Sequence, residues 1–374
     1  MNNLNELFPW LTLLRTPGLG PGGLRAQLTE HGGDIVAVLA AFRQRATKLS
    51  DEAARWLRQP DEARLAADLA WLAESNRRLL CCTDEDFPPL LEAIPQPPVA
   101  LFVVGDPGLL LHPQVAIVGA RGATLSGRTH ARAFAQALGQ AGFTITSGLA
   151  DGIDGAAHQA ALDAGLPTVA VIGTGPDRVY PPKHRDLARR IAAHGALVSE
   201  FPPGTPARSD HFPRRNRILS GLALGTLVVE AGLQSGSLIT ARLAAEQGRE
   251  VFALPGSIHN PLAQGCHRLI RDGARLVETA SEIEEALAPA AVALGRELAS
   301  RLDDGSTPSG RSAVVVDPGS QALLDAMGHG PTALDELAAH TGQAVANLSA
   351  ALLMLELDGV IEALPGNRYQ RLPG

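Results

Sequence analysis

Cysteine, aromatic side chains and long apolar runs are all scarce in this 374-residue chain, and each scarcity removes a class of protein. There are 3 cysteines, Cys81 beside Cys82 and Cys266 far from both. No CxxC pair exists, so neither a disulfide framework nor a zinc ribbon is expected, and low cysteine usage fits a reducing cytoplasm. Aromatic residues make up 4%, which argues against a broad base-stacking platform. No apolar run of about 18 residues is free of charges or helix breakers, so no membrane contact through a spanning helix is expected. The polar, acidic first residues do not read as a secretory leader.

Hydrophobic residues at 45% and charged residues at 19% are enough for a substantial core rather than disorder. At roughly 100–200 residues per domain, the length suggests two or three domains. The net charge of −7 is unpromising for a nucleic-acid binder, but the distribution matters more. Residues 1–98 carry 10 basic against 13 acidic side chains, and residues 319–374 carry 2 against 6. Residues 99–288 carry 17 against 16, and their arginines bunch.

Residues 1–85 read as a helical N-terminal domain, with Trp56 and Trp71 at helix-core positions. Its Gly-rich turn from Thr16 to Gly23 resembles a helix-hairpin-helix element, in which backbone N–H groups can meet a phosphate; the alternative is a plain inter-helix turn. A Pro-rich stretch from Phe87 to Pro98 leads into a second domain, 86–288. There the strand candidates are Val115–Val118, Phe143–Thr146, Thr168–Ile172, Ala196–Ser199, Thr226–Val229 and Val251–Leu254. The intervening helix candidates are Thr129–Gln140, Gly155–Ala164, His184–His194 and Leu238–Gln247. This alternation predicts an α/β, Rossmann-like, doubly wound and mainly parallel sheet, with its ligand crevice at the carboxyl ends of the strands. Residues 289–319, rich in Ala, Gly, Ser and Pro, read as a flexible linker. Helical stretches at Ser320–Met327, Ala333–His340 and Val345–Leu357, then a hairpin turning at Pro365–Asn367, give residues 320–374 the order of a winged helix. The third of these helices has no basic residue, which suits packing against protein better than entry into a DNA groove.

Several loops of the central segment favour anions. After Val118 the chain reads Gly119-Ala120-Arg121-Gly122, where glycines admit a ligand to the backbone and Arg121 adds a charge that can hold phosphate. No GK[ST] follows, so this is not a Walker A loop, and no acidic residue closes the second strand at Ser147 to take a ribose hydroxyl. Ser147-Gly148 begins a second turn, where Asp154 and His158 share a helix face. They are either an acid–base or metal pair, or a cap and a packed histidine. A third loop carries Tyr180 and Lys183, suited to stacking a base and neutralising a phosphate, or else simply stiffened by proline. The densest cluster is Phe212-Pro213-Arg214-Arg215-Asn216-Arg217, in which at least one arginine is expected to pair structurally with Glu200 or Glu230. Ser235-Gly236-Ser237 opens a helix and forms an N–H nest. No Ser-His-Asp order, paired carboxylates or metal triad stands out, so the site reads as one for binding, with no catalytic residue, cofactor or metal expected.

The strings VAIVGARGATLSG, TSGLADGIDGAAHQAAL, AVIGTGPDRVYPPKHRDL, LVSEFPPGT, HFPRRNRILSGLA, LVVEAGLQSGSLITARLAAEQGREVFALPG and GCHRLIRDGA stand in the order seen in the DprA/Smf family, and the chain resembles that family over about residues 99–280. The resemblance implies a cytoplasmic homodimer, paired through the Rossmann-like domain, that binds and shields single-stranded DNA and loads RecA recombinase onto it during natural transformation. It implies a DNA pocket using Arg121, Lys183, Asn216, Arg217, Ser235, Gly236 and Ser237, beside Gly119, Ser147, Gly148 and Arg214 from the loops above. His184 is a departure, since the family more often has a small or amide residue nearby. The alternative is a Rossmann-type nucleotide N-glycosidase resembling the LOG family. Its GGxGTxxE loop is not matched, because Glu230 precedes the glycines here.

Overall fold

From residue 99 onward the short apolar runs form strands and the amphipathic stretches between them form helices. The computed structural model describes residues 4–305 and, beyond them, residues 323, 326–327, 332–333, 336–337, 341, 348, 352, 361–364 and 368–371. Two compact units result, residues 1–302 and 303–374.

The first unit begins with helices α1 (Leu4–Leu14), α2 (Pro21–Glu30), α3 (Ile35–Gln44), α4 (Asp51–Arg58) and α5 (Glu62–Leu72). Three of them start at side-chain caps: Asp34, Ser50 and Asp61 each accept a backbone N–H of the first turn. Next come β1 (Arg77–Cys81), α6 (Pro89–Glu92) and β2 (Ala100–Gly105). The alternating part follows: β3 (Gln114–Val118), α7 (Leu125–Gln140), β4 (Thr144–Ser147), α8 (Ile153–Asp163), β5 (Thr168–Val171), α9 (Arg185–His194) and β6 (Ala196–Ser199). It continues through α10 (His211–Leu222), β7 (Gly225–Val228), α11 (Gly236–Glu246), β8 (Glu250–Ala253), α12 (Gln264–Arg271), β9 (Arg275–Leu276) and α13 (Ala280–Gly305).

These strands form one sheet in the order β1-β2-β6-β5-β4-β3-β7-β8-β9. Every pairing from β6 through to β9 is parallel, while β1–β2 and β2–β6 are antiparallel. The chain winds outward from β3 to β6 and then returns to the other side of β3 with β7. That reversal is a topological switch point, where a doubly wound sheet opens a crevice at its carboxyl edge. Side chains alternate across the sheet as strand pleating requires. Val115 and Ile117 meet α7, α8 and α13 through Phe134, Leu138, Ile153 and Leu287. Ala116 and Val118 face the opposite layer, with Ile218, Leu219 and Leu222 of α10. At about 1.5–3 kcal/mol per fully buried aliphatic side chain, these layers fix where the edge loops stand.

Three boundaries differ from the sequence reading. The N-terminal helices are not separate from the sheet: Leu11, Leu57 and Leu65 share a core with Leu79 of β1 and Phe102 of β2. A strand therefore lies inside the segment read as helical. Arg15 adds a tie to the far side of the fold, donating to the Asp68 carboxylate and to the Pro203 carbonyl at 2.8 Å. The third difference is the expected linker. Residues 289–305 belong to α13, where Leu294 is buried and Ala291 and Leu298 pack beside it. Spacings of three and four residues give this Ala-rich stretch an apolar stripe despite Pro289.

In the second unit β10 (Thr332–Ala333), β11 (Ile361–Leu364) and β12 (Arg368–Arg371) form an antiparallel sheet in the order β10-β12-β11. The expected hairpin is present, and Ala333 pairs with Arg368 instead of opening a helix. The helices read at Ser320–Met327, Ala333–His340 and Val345–Leu357 lie mostly outside the described residues. Within them Leu323, Met327, Leu337, Leu348 and Leu352 are buried. No described helix is long and apolar enough to cross a membrane.

Candidate functional site

The loops leaving the carboxyl ends of β3, β4, β5, β6 and β7, with α10, surround a cavity of about 840 Å³ at the switch point. Gly119, Arg121, Asn216, Ser235, Gly236 and Ser237 line it together. Gly119 is confined: a Cβ there would lie 2.5 Å from Ile153 Cγ1 and 2.9 Å from the Glu230 carbonyl. Arg121 is exposed, forms no ion pair among the described residues, and sits 5.6 Å over the Phe212 ring. Tyr180 meets the same ring at 5.7 Å, so an aromatic pair and a free guanidinium share one rim. On the opposite side Ser235 caps α11, accepting from Ser237 N at 3.4 Å, and its hydroxyl lies 2.7 Å from that of Ser237. The N–H groups of this first turn and its partial positive charge suit an anion.

The remaining expected residues are not on that wall. Ser147 is buried and donates its hydroxyl to the Ile117 carbonyl at 2.6 Å. Gly148 lies beneath the cavity, against the Arg215 guanidinium. Lys183 is 66% exposed outside it, with its ammonium 3.0 Å from Asp151. Arg214 is half-exposed over the Phe201 ring, 3.9 Å from Glu200. Arg217, expected at the DNA, is instead buried in an ion pair with Glu200. Helix geometry is the reason: at about 100° per residue Arg214 and Arg217, three apart, share the face that meets Glu200, while Arg215 turns away to the Val171 carbonyl. Among the described residues Glu230 pairs with no arginine; its carboxylate accepts the Thr124 hydroxyl at 2.6 Å and the Thr124 N–H at 2.9 Å.

Arg215, placed by the sequence in the arginine cluster but not among the residues expected at the DNA, lines the cavity. It donates to the Val171 carbonyl and is almost wholly buried. Burial draws its guanidinium down to about 10, against the opposing pull of Asp154 and with some help from Arg121, so it stays cationic at neutral pH. Asp154 lies below, its carboxylate accepting N–H from Gly148 at 3.1 Å and Ala150 at 3.3 Å. Burial raises its pKa, against the Arg215 charge and those two N–H donors. Between them Leu149 holds φ 57°, a left-handed conformation that costs a non-glycine residue about 1–3 kcal/mol and that tends to be kept where a loop must take one shape.

Asp154 and His158 each find a separate hydrogen-bond partner within the fold. The His158 ring is buried and hydrogen-bonded through Nδ1 to the Thr168 hydroxyl at 2.7 Å. No cluster of metal-ligating side chains occurs among the described residues. Burial first, then the His184 and Arg215 charges, push the His158 pKa from 6.5 down to about 3. The unfolded chain therefore takes up a proton below about 6.5 that the folded chain refuses down to about 3. Its contribution is full above the higher value and is lost as pH falls between the two, at up to about 1.4 kcal/mol per pH unit. Urea unfolding at pH 7 and pH 5 is expected to show a stability drop smaller by about 2 kcal/mol in His158→Gln than in the parent chain. Equal drops would remove His158 from the account.

Residues 78–288 match the family described as DNA recombination-mediator protein A, and residues 307–367 match the DprA winged helix domain. The chain belongs to the DprA family. Protein Smf of Escherichia coli K12 is 44% identical over 322 residues, covering 86% of this chain and 84% of its own. The X-ray structure of DprA from Streptococcus pneumoniae superposes with a TM-score of 0.64 at 36% identity, over 74% of this chain and 96% of that one. DNA processing protein A from Helicobacter pylori, whose structure was determined for its single-stranded DNA binding mode, gives a TM-score of 0.52 at 28% identity, over 57% of this chain and 96% of that one. DprA proteins are thus DNA-processing proteins, and the switch-point cavity lies inside the segment, 78–288, that carries the family match.

Proposed function

We propose that the chain binds and shields single-stranded DNA in the switch-point cavity, without catalysis, and loads RecA recombinase onto that strand during natural transformation, acting as a cytoplasmic homodimer paired through its Rossmann-like domain. The observation that carries the binding step is the convergence of Arg121, Arg215, Asn216 and the α11 N-terminus on one cavity with an aromatic rim. Phosphates would meet the guanidiniums and N–H groups, and a base would stack at Tyr180 and Phe212. Lys183 and Arg214, both on the flank of the cavity, would extend the field that draws the strand in.

The test is a binding series with single- and double-stranded oligonucleotides at two salt concentrations. Single strands are expected to bind more tightly, with affinity falling as salt rises by about 0.7 log units per log unit of salt for each phosphate contact. Tighter binding of the duplex would overturn the assignment. Incubation with AMP is expected to leave it intact; released adenine would overturn the non-catalytic reading and favour an N-glycosidase. RecA loading is checked by strand exchange on single strands coated beforehand with a single-strand-binding protein, where the chain should relieve the block.

A further inference from the structure

A second cleft of about 800 Å³ adjoins the first, and Tyr180 and Ala207 line both. One wall comes from the N-terminal layer, where Trp71 lies in the last turn of α5 and Arg77 opens β1; the other comes from Arg178 and from Arg185 and Arg189 of α9. Four guanidiniums thus line one cleft with a single carboxylate, Asp177, among them. Asp177 is already engaged, accepting the Gly204 N–H at 2.7 Å and lying 3.8 Å from Arg178. Arg77 is held 4.6 Å over the Trp71 ring, with Glu74 at 2.6 Å, and Arg189 reaches Asp186 at 2.7 Å on an exposed surface. Arg185 is exposed and has no hydrogen-bond or ion-pair partner among the described residues.

Folding supplies no reason to gather these charges. Exposed pairs such as Arg189–Asp186 contribute little, so these arginines can give up their carboxylates to a phosphate at small cost, and Arg185 has none to give up. An extended polyanion would meet all four guanidiniums, and Tyr180, 46% exposed on the ridge between the clefts, offers flat apolar surface to a base.

We propose that the second cleft takes the continuation of a single DNA strand whose first nucleotides occupy the switch-point cavity. The strand passes over Tyr180, and its phosphates meet Arg178, Arg185 and Arg189. This rests on the reading of the first cavity as a single-stranded DNA site. A free phosphorylated metabolite would satisfy the same guanidiniums, but the shared ridge makes the cleft continuous with the first cavity, which favours the strand.

The test uses the full chain and the double variant Arg185→Ala/Arg189→Ala, with oligothymidylates of about 6 and about 20 nucleotides over a salt series. Neither side chain is buried, so the melting curve should not move. Affinity for the long strand is expected to fall about tenfold or more and its salt slope by about 1.4, with affinity for the short strand unchanged. Unchanged long-strand affinity and slope, beside normal short-strand binding, would overturn the second cleft alone. Equal losses for both lengths would overturn it in favour of a general field effect. Pyrophosphate binding lost in the variant, with long-strand binding intact, would overturn it in favour of a small phosphorylated ligand. A parent chain that binds neither length would overturn the first cavity's reading.

Discussion

Arg217→Ala is expected to cost about 3–5 kcal/mol of folding stability and to lower DNA binding only as far as it lowers the folded fraction. Both partners of the ion pair, Arg217 and Glu200, have side chains 9% exposed. Removing the guanidinium leaves a carboxylate in a place with little water and only the more distant, half-exposed Arg214 to answer it. The double variant Arg217→Met/Glu200→Leu should recover most of the loss, because an apolar pair of similar volume avoids both desolvation penalties. Urea unfolding measures this directly. A single variant within about 0.5 kcal/mol of the parent chain would show that the pair is not structural.

Arg121→Ala is expected to do the opposite, leaving the melting curve in place and weakening single-stranded DNA binding by about tenfold to a hundredfold. The side chain is exposed and lies over the Phe212 ring, 5.6 Å from its centroid. A hydrogen bond to a charged group contributes about 1.5–3 kcal/mol, and each 1.4 kcal/mol is a factor of ten. Its loss should also lower the salt slope by about 0.7. Lys183→Ala is expected to have a smaller effect, because Asp151 already offsets the ammonium. Filter binding or anisotropy at several salt concentrations separates the two. An Arg121→Ala chain with native melting, affinity and slope would remove Arg121 from the DNA path.

The contrast between these two arginines marks what the sequence could disclose. The parallel strands were legible because they are buried on both faces and read as short apolar runs bounded by glycine. Gly119, Arg121 and Ser235–Ser237 were legible because loops at the carboxyl edge of such a sheet converge whatever their separation along the chain. β1 was not legible: it opens with Arg77-Arg78, and its apolar run Leu79-Leu80-Cys81 is too short to show alternation, so the Ser75-Asn76 turn before it reads equally as an inter-helix turn. The roles inside Phe212–Arg217 were hidden for another reason. Charge density identifies a cluster but not the direction each side chain takes. One signal was available, since Arg215, Ile218, Leu219 and Leu222 fall on a single helical stripe at spacings of three and four, which places Arg215 on the buried face. The partner was half-legible: Glu200 is one of the two carboxylates expected to pair with an arginine of the cluster, but that Arg217 is the one it takes depends on the tertiary fold, which brings the loop after β6 within reach.

The strand order has a consequence for synthesis. β2 pairs early with β1, but its other neighbour, β6, is made only when Ala196–Ser199 leave the ribosome. β3 acquires β4 soon after it emerges, yet waits for β7 at Gly225–Val228 to close its other side. At about 5–20 residues per second, that second wait lasts on the order of 5–20 s. Throughout it the nascent sheet carries unpaired apolar edges of the kind that recruit other strands. The hazard at these two strands therefore belongs to an interval of translation, when neighbouring nascent chains or a chaperone can reach β2 and β3, and it ends once β6 and then β7 emerge to cover them.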